Sequence, residues 1–263
     1  MTAGSSSQTL AVQAASVSAV LDYSAVFDAQ YYYNLYPDLQ LCIGNNPQAL
    51  LQHFVAYGMK EGRIAKADFQ VKAYMQYNLD LVAAYGADDL TKYYIHYITY
   101  GKAENRIAVY PQGYQPPVNL LGTYTTLYVP TEERAVNVEL AAQRVNGTIL
   151  EPGQTFSFSQ AVGKRTRANG YVLGPSFAGG KVVSSIGGGI CQVSSTMYVS
   201  MLLAGIAPTE HHFHSLPVDY VPKGLDAAIA QGYKDLRFKN IFPYPILIQA
   251  QAENGILTVS FVR

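Results

Sequence analysis

The chain has 263 residues, 49% of them hydrophobic and 14% charged, and its 18 basic and 18 acidic side chains give a formal net charge of zero. This composition supports a sizeable core and excludes wholesale disorder. Because there is no basic excess, we exclude nucleic acid and anionic lipid surfaces as partners. The two cysteines, Cys42 and Cys191, are too few for a disulfide framework and lack CxxC spacing.

The first segment, residues 1–24, is a leader rich in Ser, Ala and Gln. It has no basic start and no solid apolar run, so it makes a poor secretory signal peptide. No stretch of the sequence is apolar over the length that a membrane span needs. We therefore expect a flexible tail, no transmembrane segment, and an export signal that lies elsewhere.

An internal repeat occupies residues 25–109. The equivalent pairs are Phe27 and Phe69, Asp38 and Asp80, His53 and His96, and Arg63 and Arg106. Each copy is predicted to be a helical hairpin whose last helix is closed by Gly58 or Gly101. The two histidines lie among aromatic residues at helical spacing, which indicates packed, hydrogen-bonded core side chains. The segment resembles tyrosine-rich helical repeats of secreted and surface-layer bacterial proteins, which implies attachment or spacing at the cell surface.

Residues 110–118 are rich in proline and lack hydrophobic periodicity, so they are predicted to be a linker. The domain organisation that follows is a leader (1–24), two helical repeats (25–109), the linker, and a larger domain (119–263). The predicted fold class is α+β. It combines a small all-α repeat domain with a C-terminal mixed α/β domain that has a Cys-bearing helix and antiparallel strands.

The larger domain begins with strand and helix signals in alternation. Residues 119–128 are predicted to form a strand, and a helix is expected to open at an N-cap, Thr131, and run to about Val145. Residues 155–158 alternate like a second strand. Near the C-terminus, residues 245–250 and 256–261 flank Asn254 and Gly255, a dipeptide that predicts a tight hairpin.

The most informative stretch is residues 184–196, in which three consecutive glycines precede Cys191. Apolar residues then recur at helical spacing until Gly205, so Cys191 is predicted to lie in the first turn of a helix. A helix N-terminus favours a thiolate, and backbone N–H groups near Gly188, Gly189 and Gln192 would receive a developing oxyanion. This is the arrangement of an activated nucleophile. The alternative is a buried structural cysteine.

A histidine-rich segment, residues 210–222, supplies the candidate bases. If the segment is extended, His212 and His214 lie on one face, with His211 and Phe213 on the other. Acyl transfer needs a nucleophile, a base, an orienting group and oxyanion donors. Further candidates for orienting groups or substrate contacts are Ser194, Ser215, Asp219, Asp226, Asp235 and Arg237.

Several ordered motifs carry a family resemblance. They lie at residues 146–158, 162–166, 187–196, 212–218 and 235–240, and with them residues 119–263 resemble the VanW domain. His211 is a departure, because the family usually has arginine there. The resemblance implies a cell-envelope protein linked by name to vancomycin resistance. Some members have been assigned peptidoglycan L,D-transpeptidase activity, which implies Cys191 as nucleophile and His214, or else His212, as its partner.

Three functional interpretations remain open. The first is cysteine-dependent acyl transfer on peptidoglycan stem peptides, with no cofactor and no metal, at an extracellular or cell-envelope location. The second is a non-catalytic peptidoglycan-binding or vancomycin-resistance accessory module. The third is a metal site formed by Cys191, His212 and His214. In each case the repeats are expected to contact a cell-surface polymer, and the oligomeric state stays open.

Overall fold

The computed structural model describes residues 21–114 and 116–263. Most of the predicted leader, residues 1–20, lies outside the described residues, and the described chain opens with a 3-10 turn, Tyr23–Ala25. The predicted α+β class is confirmed, because helices form the N-terminal part and a mixture of helices and antiparallel strands follows. Along the described residues, no helix combines the length and apolar character needed to cross a bilayer.

Each repeat contains three short helices in place of the predicted two-helix hairpin. The first has α1 (Ala29–Leu35), α2 (Pro37–Cys42) and α3 (Pro47–His53), which continues through a π-helical turn, Phe54–Gly58, into α4 (Met59–Glu61). The second has α5 (Val71–Tyr77), α6 (Leu79–Tyr85) and α7 (Thr91–His96), which continues into the π-helical turn Tyr97–Gly101. The extra break has a local cause. Tyr36 is extended, as a residue before proline prefers, and Pro37 then starts a new helix.

Neither Gly58 nor Gly101 takes the left-handed conformation of a helix-closing glycine, and the prediction is wrong for Gly58, although Gly101 is the last residue of its π-helical turn. The first repeat continues to Gly62, which takes the left-handed conformation that ends a helix (φ 71°). The two glycines instead make room for a tyrosine. A Cβ at Gly58 would lie 2.5 Å from the hydroxyl of Tyr32, and one at Gly101 would clash with the hydroxyl of Tyr74.

The two repeat histidines are half-buried and hydrogen-bonded, as the sequence indicates. Nδ1 of His53 lies 3.1 Å from the hydroxyl of Tyr32, and Nδ1 of His96 lies 2.8 Å from the hydroxyl of Tyr74. Tyrosine hydroxyls that are buried with their rings need such partners. The same glycine, tyrosine and histidine arrangement therefore occurs in both repeats.

A four-stranded antiparallel sheet forms the centre of the C-terminal part, with the strand order β1-β9-β8-β2. Its strands are β1 (Leu120–Leu127), β2 (Thr148–Leu150), β8 (Ile246–Glu253) and β9 (Ile256–Val262). Helix α10 (Cys191–Ala204) packs across β1 and β9, and α8 (Arg134–Val145) packs across β8. The inward side chains of β9 are Leu257, Val259 and Phe261, all fully buried.

The remaining elements are short. They are β3 (Thr155–Ser157), α9 (Phe158–Val162), a 3-10 turn (Arg167–Asn169), β4 (Leu173–Ala178), β5 (Lys181–Ile186), β6 (Pro208–Glu210) and β7 (Arg237–Lys239). Strands β3, β7 and β6 form one small sheet, and β4 and β5 form a hairpin. The β5 strand leads directly through the three glycines into α10.

Several local predictions agree with the structure. The C-terminal hairpin turns at Asn254 and Gly255, both with positive φ, and α8 ends at Val145. The start of α8 differs, since the helix begins at Arg134 and not after Thr131. Glu132 donates its N–H to the carbonyl of Val129 at 3.3 Å, so a turn precedes the helix.

Helix α10 is buried on all sides after its first residue. Its polar side chains therefore bond to the neighbouring sheet, because buried hydroxyls require partners. The hydroxyls of Thr196 and Thr126 lie 2.8 Å apart, and Ser200 donates to the carbonyl of Val259 at 2.7 Å. These bonds fix the rotation of the helix against β1 and β9.

The repeats contact the C-terminal part at the far end of α10. Lys72 Nζ donates to the carbonyl of Leu203 at 2.8 Å, where the negative end of the helix dipole favours a cation. Buried apolar side chains of both parts also form one continuous cluster. The domain boundary at residues 110–118 stays a prediction.

We expect Gly101→Ala to destabilise the protein by about 1–3 kcal/mol, because the new methyl group overlaps the hydroxyl of Tyr74. The cost should shrink in a Tyr74→Phe background, which removes that hydroxyl. In a Tyr32→Phe background, which alters only the other repeat, the cost should be unchanged. Denaturant unfolding of the wild type, the three single variants and the two double variants measures this, and an equal cost in every background contradicts it.

The stability contributed by Lys72 should depend on pH. Burial lowers the pKa of Lys72 to about 8 from its ordinary 10.5. Between these values the unfolded chain holds a proton that the folded chain has lost, so folding is favoured as the pH rises from about 8 to about 10.5. The melting temperature of the wild type, relative to that of Lys72→Met, should therefore increase as the pH rises across this range. Lys92→Met, at an exposed position, is the control, and a constant difference for Lys72→Met would contradict the expectation.

Candidate active site

Cys191 is the first residue of α10, and it is half-buried, whereas Cys42 is exposed. The residue before it, Ile190, offers no side-chain cap to the N–H groups at this end of the helix. Those groups carry the positive end of the helix dipole. The predicted position of Cys191 in the first turn therefore agrees with the structure.

His214 and Asp226 form a buried pair, with side chains only 7% and 14% exposed. The Oδ2 atom of Asp226 accepts from Nδ1 of His214 at 2.7 Å and from its backbone N–H at 2.8 Å. Because the carboxylate accepts a hydrogen bond from Nδ1–H, the proton of the neutral ring is on Nδ1. Nε2 is then the acceptor nitrogen. Asp226 thus sets both the tautomer and the orientation of His214.

His214 lies within electrostatic reach of the Cys191 sulfur. Burial lowers the pKa of His214, but the interaction with Cys191 opposes this effect. Asp226 acts in the same direction, and the net result is a pKa above the ordinary value of 6.5. The imidazolium form is favoured beside the sulfur, as in a cysteine and histidine ion pair.

The sulfur has a second contact, to the backbone of Ile229. The N–H of Ile229 donates to Sγ at 3.5 Å, and Sγ lies 3.8 Å from the carbonyl oxygen of the same residue. A thiolate can accept from the N–H, whereas a thiol can donate to the carbonyl. Sequence reasoning does not find this contact, because it is made by backbone atoms 38 residues away.

Two serines hold the segment around Asp226 against α10. Ser194 Oγ donates to the carbonyl of Ala227 at 2.7 Å, and Ser195 Oγ accepts from its N–H at 2.9 Å. Both hydroxyls also bond to the carbonyl of Cys191. Ser194 is therefore placed as a structural residue, and its predicted contact with substrate has no support in this geometry.

His212 and His214 bond to different carboxylates, and His211 and Phe213, which the extended-segment prediction places together on the other face, contact each other with ring centroids 4.6 Å apart. The segment is irregular at these residues. His212 turns to Glu210, with Nε2 and Oε1 3.1 Å apart, while its carbonyl accepts from Ala228 N–H at 2.8 Å. These bonds take the place of a strand ladder in this segment.

Of the predicted N–H groups in the glycine loop, those of Gly188 and Gln192 are already bonded, whereas that of Gly189 is not. Gly188 N–H donates to the carbonyl of Ser185 at 3.1 Å, so it is already used. Gln192 is 1% exposed and its side chain is bonded within the protein. Gly189 has a φ of 105°, which favours glycine. Within residues 116–263, the N–H groups of Gly189 and Cys191 have no protein acceptor, and they are the candidate oxyanion donors.

The other predicted residues lie apart from the sulfur's contacts. Ser215 and Asp219 are exposed, and Arg237 is exposed on β7. Asp235 accepts from the hydroxyl of Ser157 at 2.5 Å and from the N–H of Ser159 at 2.8 Å, which makes it a structural carboxylate.

Two aromatic residues near the site, Tyr220 and His211, were not assigned to it from the sequence. Burial raises the pKa of Tyr220, whose phenol lies within electrostatic reach of Cys191. His211 Nε2 lies 2.7 Å from the carbonyl of Asp226, and its ring stacks on Tyr198 at 4.1 Å. Tyr220 had no sequence signal, because its position depends on the path of an irregular segment.

The arrangement does not support the metal interpretation, since His212 is directed to Glu210. In the part of the chain that the structure describes, no group of three His, Cys, Asp or Glu side chains has the arrangement of a metal site. A cleft of about 1050 Å³ lies elsewhere, between the repeats and the end of α10 that carries Leu203. Cys191 does not line it.

A family model described as VanW like protein matches residues 133–262, in agreement with the motif resemblance. Uncharacterized protein YoaR of Bacillus subtilis (strain 168) is 34% identical over 182 residues, 65% of this chain and 59% of that protein. Vancomycin B-type resistance protein VanW of Enterococcus faecalis (strain ATCC 700802 / V583) is 32% identical over 114 residues, 41% of this chain and 42% of that protein. The chain spans about half the length of these relatives. No solved structure matches it.

The pKa of His214 should fall in Asp226→Asn, because the variant removes a negative charge next to the imidazolium. In the wild type, His214 should titrate above 6.5, and in the variant at a lower pH. NMR titration of labelled histidines measures both values, and His212, which contacts Glu210, is the internal control. A His214 titration that is unchanged in the variant would contradict this assignment of the pair.

Proposed function

Residues 133–262 are a VanW-like domain, and from this premise we propose that the chain is a cysteine acyltransferase of the L,D-transpeptidase type. Its proposed substrates are peptidoglycan stem peptides, and its proposed location is extracellular or in the cell envelope. The observation that carries the proposal is the buried pair of His214 and Asp226, within electrostatic reach of Cys191 at the start of α10. A nucleophile, a base and an orienting carboxylate in this order are the parts that acyl transfer requires.

In the first half-reaction, the Cys191 thiolate attacks the carbonyl carbon that precedes the terminal D-residue of a stem peptide. A C–S bond forms, and the carbonyl oxygen becomes an oxyanion. The N–H groups of Gly189 and Cys191 are the proposed donors to it. When the intermediate collapses, the C–N bond breaks, and the leaving amine takes a proton from the His214 imidazolium.

In the second half-reaction, the neutral imidazole of His214 takes a proton from the acceptor. The acceptor is an amine of a neighbouring stem or a water molecule, and it attacks the thioester carbon. The C–S bond breaks, the thiolate returns, and His214 is again protonated. Asp226 stays ionised throughout and stabilises the imidazolium, which is the usual role of a third member of such a triad.

The helical repeats are proposed to hold the chain near its polymeric substrate. Each repeat exposes a tyrosine ring at an equivalent position, Tyr57 at 60% and Tyr100 at 58%. Exposed aromatic rings provide apolar faces for polymer contact. A non-catalytic, peptidoglycan-binding role for the whole chain is the alternative, and the name of the relative Vancomycin B-type resistance protein VanW is compatible with either.

The proposal predicts an acyl adduct on Cys191 when the protein is incubated with a tetrapeptide stem, detected by intact mass. Cys191→Ser should remove the adduct without unfolding the chain. His214→Gln should slow acylation by about 100-fold or more, the usual scale of general acid–base assistance. His212→Gln is the matched control, since His212 contacts Glu210, and it should acylate at nearly the wild-type rate.

An acylation rate that is equal in His214→Gln and the wild type would remove His214 from the mechanism. If the wild type forms no adduct but still binds sacculi, the binding alternative takes the place of catalysis. Circular dichroism of each variant separates a loss of chemistry from a loss of fold.

A further inference from the structure

Two arginines lie directly on the glycine loop beside Cys191. A Cβ at Gly189 would stand 3.1 Å from Cβ and 3.2 Å from Nε of Arg134, the first residue of α8. A Cβ at Gly187 would stand 2.9–3.0 Å from the aliphatic stem of Arg165. The absence of side chains in the loop therefore lets both arginine side chains pack against the segment that leads to the nucleophile.

Arg134 bonds to a neutral side chain and not to a carboxylate. Its Nη2 donates to Oε1 of Gln192 at 2.8 Å, and no acidic side chain pairs with it in the part of the chain that the structure describes. The repeat arginines differ, because Arg63 and Arg106 each bind two carboxylates. A guanidinium held by a neutral amide is oriented but not neutralised, and its remaining N–H groups stay available.

Gln192 is itself fixed. Its Nε2 donates to Thr126 Oγ1 at 3.1 Å and to the carbonyl of Leu127 at 2.8 Å, while Oε1 accepts from Arg134. Both ends of a buried amide are thus used to connect β1 to one guanidinium group. The residue next to the nucleophile therefore serves as a support for Arg134.

Arg134 and Cys191 also share a neighbour. The phenol of Tyr220 lies within electrostatic reach of both residues. Arg134 is therefore a guanidinium held by Gln192 against Gly189, two residues before the sulfur in the chain. Guanidinium groups bind carboxylates through two parallel hydrogen bonds. A carboxylate is the anion that a peptide substrate can offer.

We propose that Arg134 binds a carboxylate of the acyl-donor peptide, with Gln192 as its positioning residue and Arg165 adding to the local positive field. This inference rests on the proposed acyl transfer, and it names the feature by which a donor is selected. In a stem peptide, the terminal carboxylate is one residue from the carbonyl that Cys191 attacks. One site can therefore hold both groups, and Arg237, exposed on β7, is not needed for this contact.

The test compares a tetrapeptide that ends in a free carboxylate with the same peptide ending in a carboxamide. Acylation of the full chain is followed by intact mass for the wild type, Arg134→Gln, Gln192→Glu and Arg167→Gln. Arg134→Gln should lower kcat/KM for the peptide acid by about 10- to 100-fold, which is the effect of losing a hydrogen bond to a charged group. It should change kcat/KM for the carboxamide peptide by less than about 3-fold. Gln192→Glu places a carboxylate against Arg134, so the preference for the acid should also fall. Arg167→Gln, at an exposed position, should keep it.

An equal loss for both peptides in Arg134→Gln would overturn the proposal, because it would mean that Arg134 acts on the sulfur or on the fold. Arg134→Lys, which keeps the charge, should retain part of the acid preference. Binding of both peptides to Cys191→Ala by calorimetry separates this inference from the acyl transfer. If the wild type is never acylated but Cys191→Ala binds the acid more tightly than the amide, only the catalytic proposal fails. Equal binding of the two peptides would remove the carboxylate site.

Discussion

The burial of α10 is the constraint on which the rest of the C-terminal part depends. Every residue after Cys191 is buried, yet the helix carries three serines and a threonine whose hydroxyls must be satisfied. Those on the later turns bond to the sheet, and those on the first turn bond to Ala227. Because Ala227 is flanked by Asp226 and lies close to Ile229, the same bonds that satisfy the helix also bring the carboxylate and a backbone N–H to the sulfur.

The glycine loop has a second constraint, close approach on both of its sides. Asn137, fully buried on α8, donates to the carbonyls of Gly188 and Val172 and accepts the N–H of Val172. A side chain at Gly188 would overlap the backbone of Gly174 on β4. The loop is thereby held between a helix and a hairpin. Its rigidity matters chemically, since donors that are already in place cost no reorganisation when charge develops.

The helical repeats follow a different logic from the C-terminal part. Their stability rests on tyrosine and phenylalanine rings packed edge to face, and on one tyrosine to histidine bond in each copy. The internal symmetry was readable from the sequence, and so was the packed state of the histidines. The roles of Gly58 and Gly101 were not readable, because a helix-ending glycine and a glycine that accommodates a neighbouring ring look the same in a sequence.

The sequence by itself determined what depends on neighbouring residues: the α+β class, the repeat, the C-terminal hairpin at Asn254 and Gly255, and Cys191 at a helix N-terminus. Periodicity, turn propensity and helix ends are local properties, so a linear pattern records them. Only the tertiary structure decided which histidine lies within electrostatic reach of Cys191, that Asp226 orients it, and that Gln192 holds Arg134. These choices depend on an irregular segment whose path is set by hydrogen bonds to α10 and β1, which are formed between residues far apart in the chain.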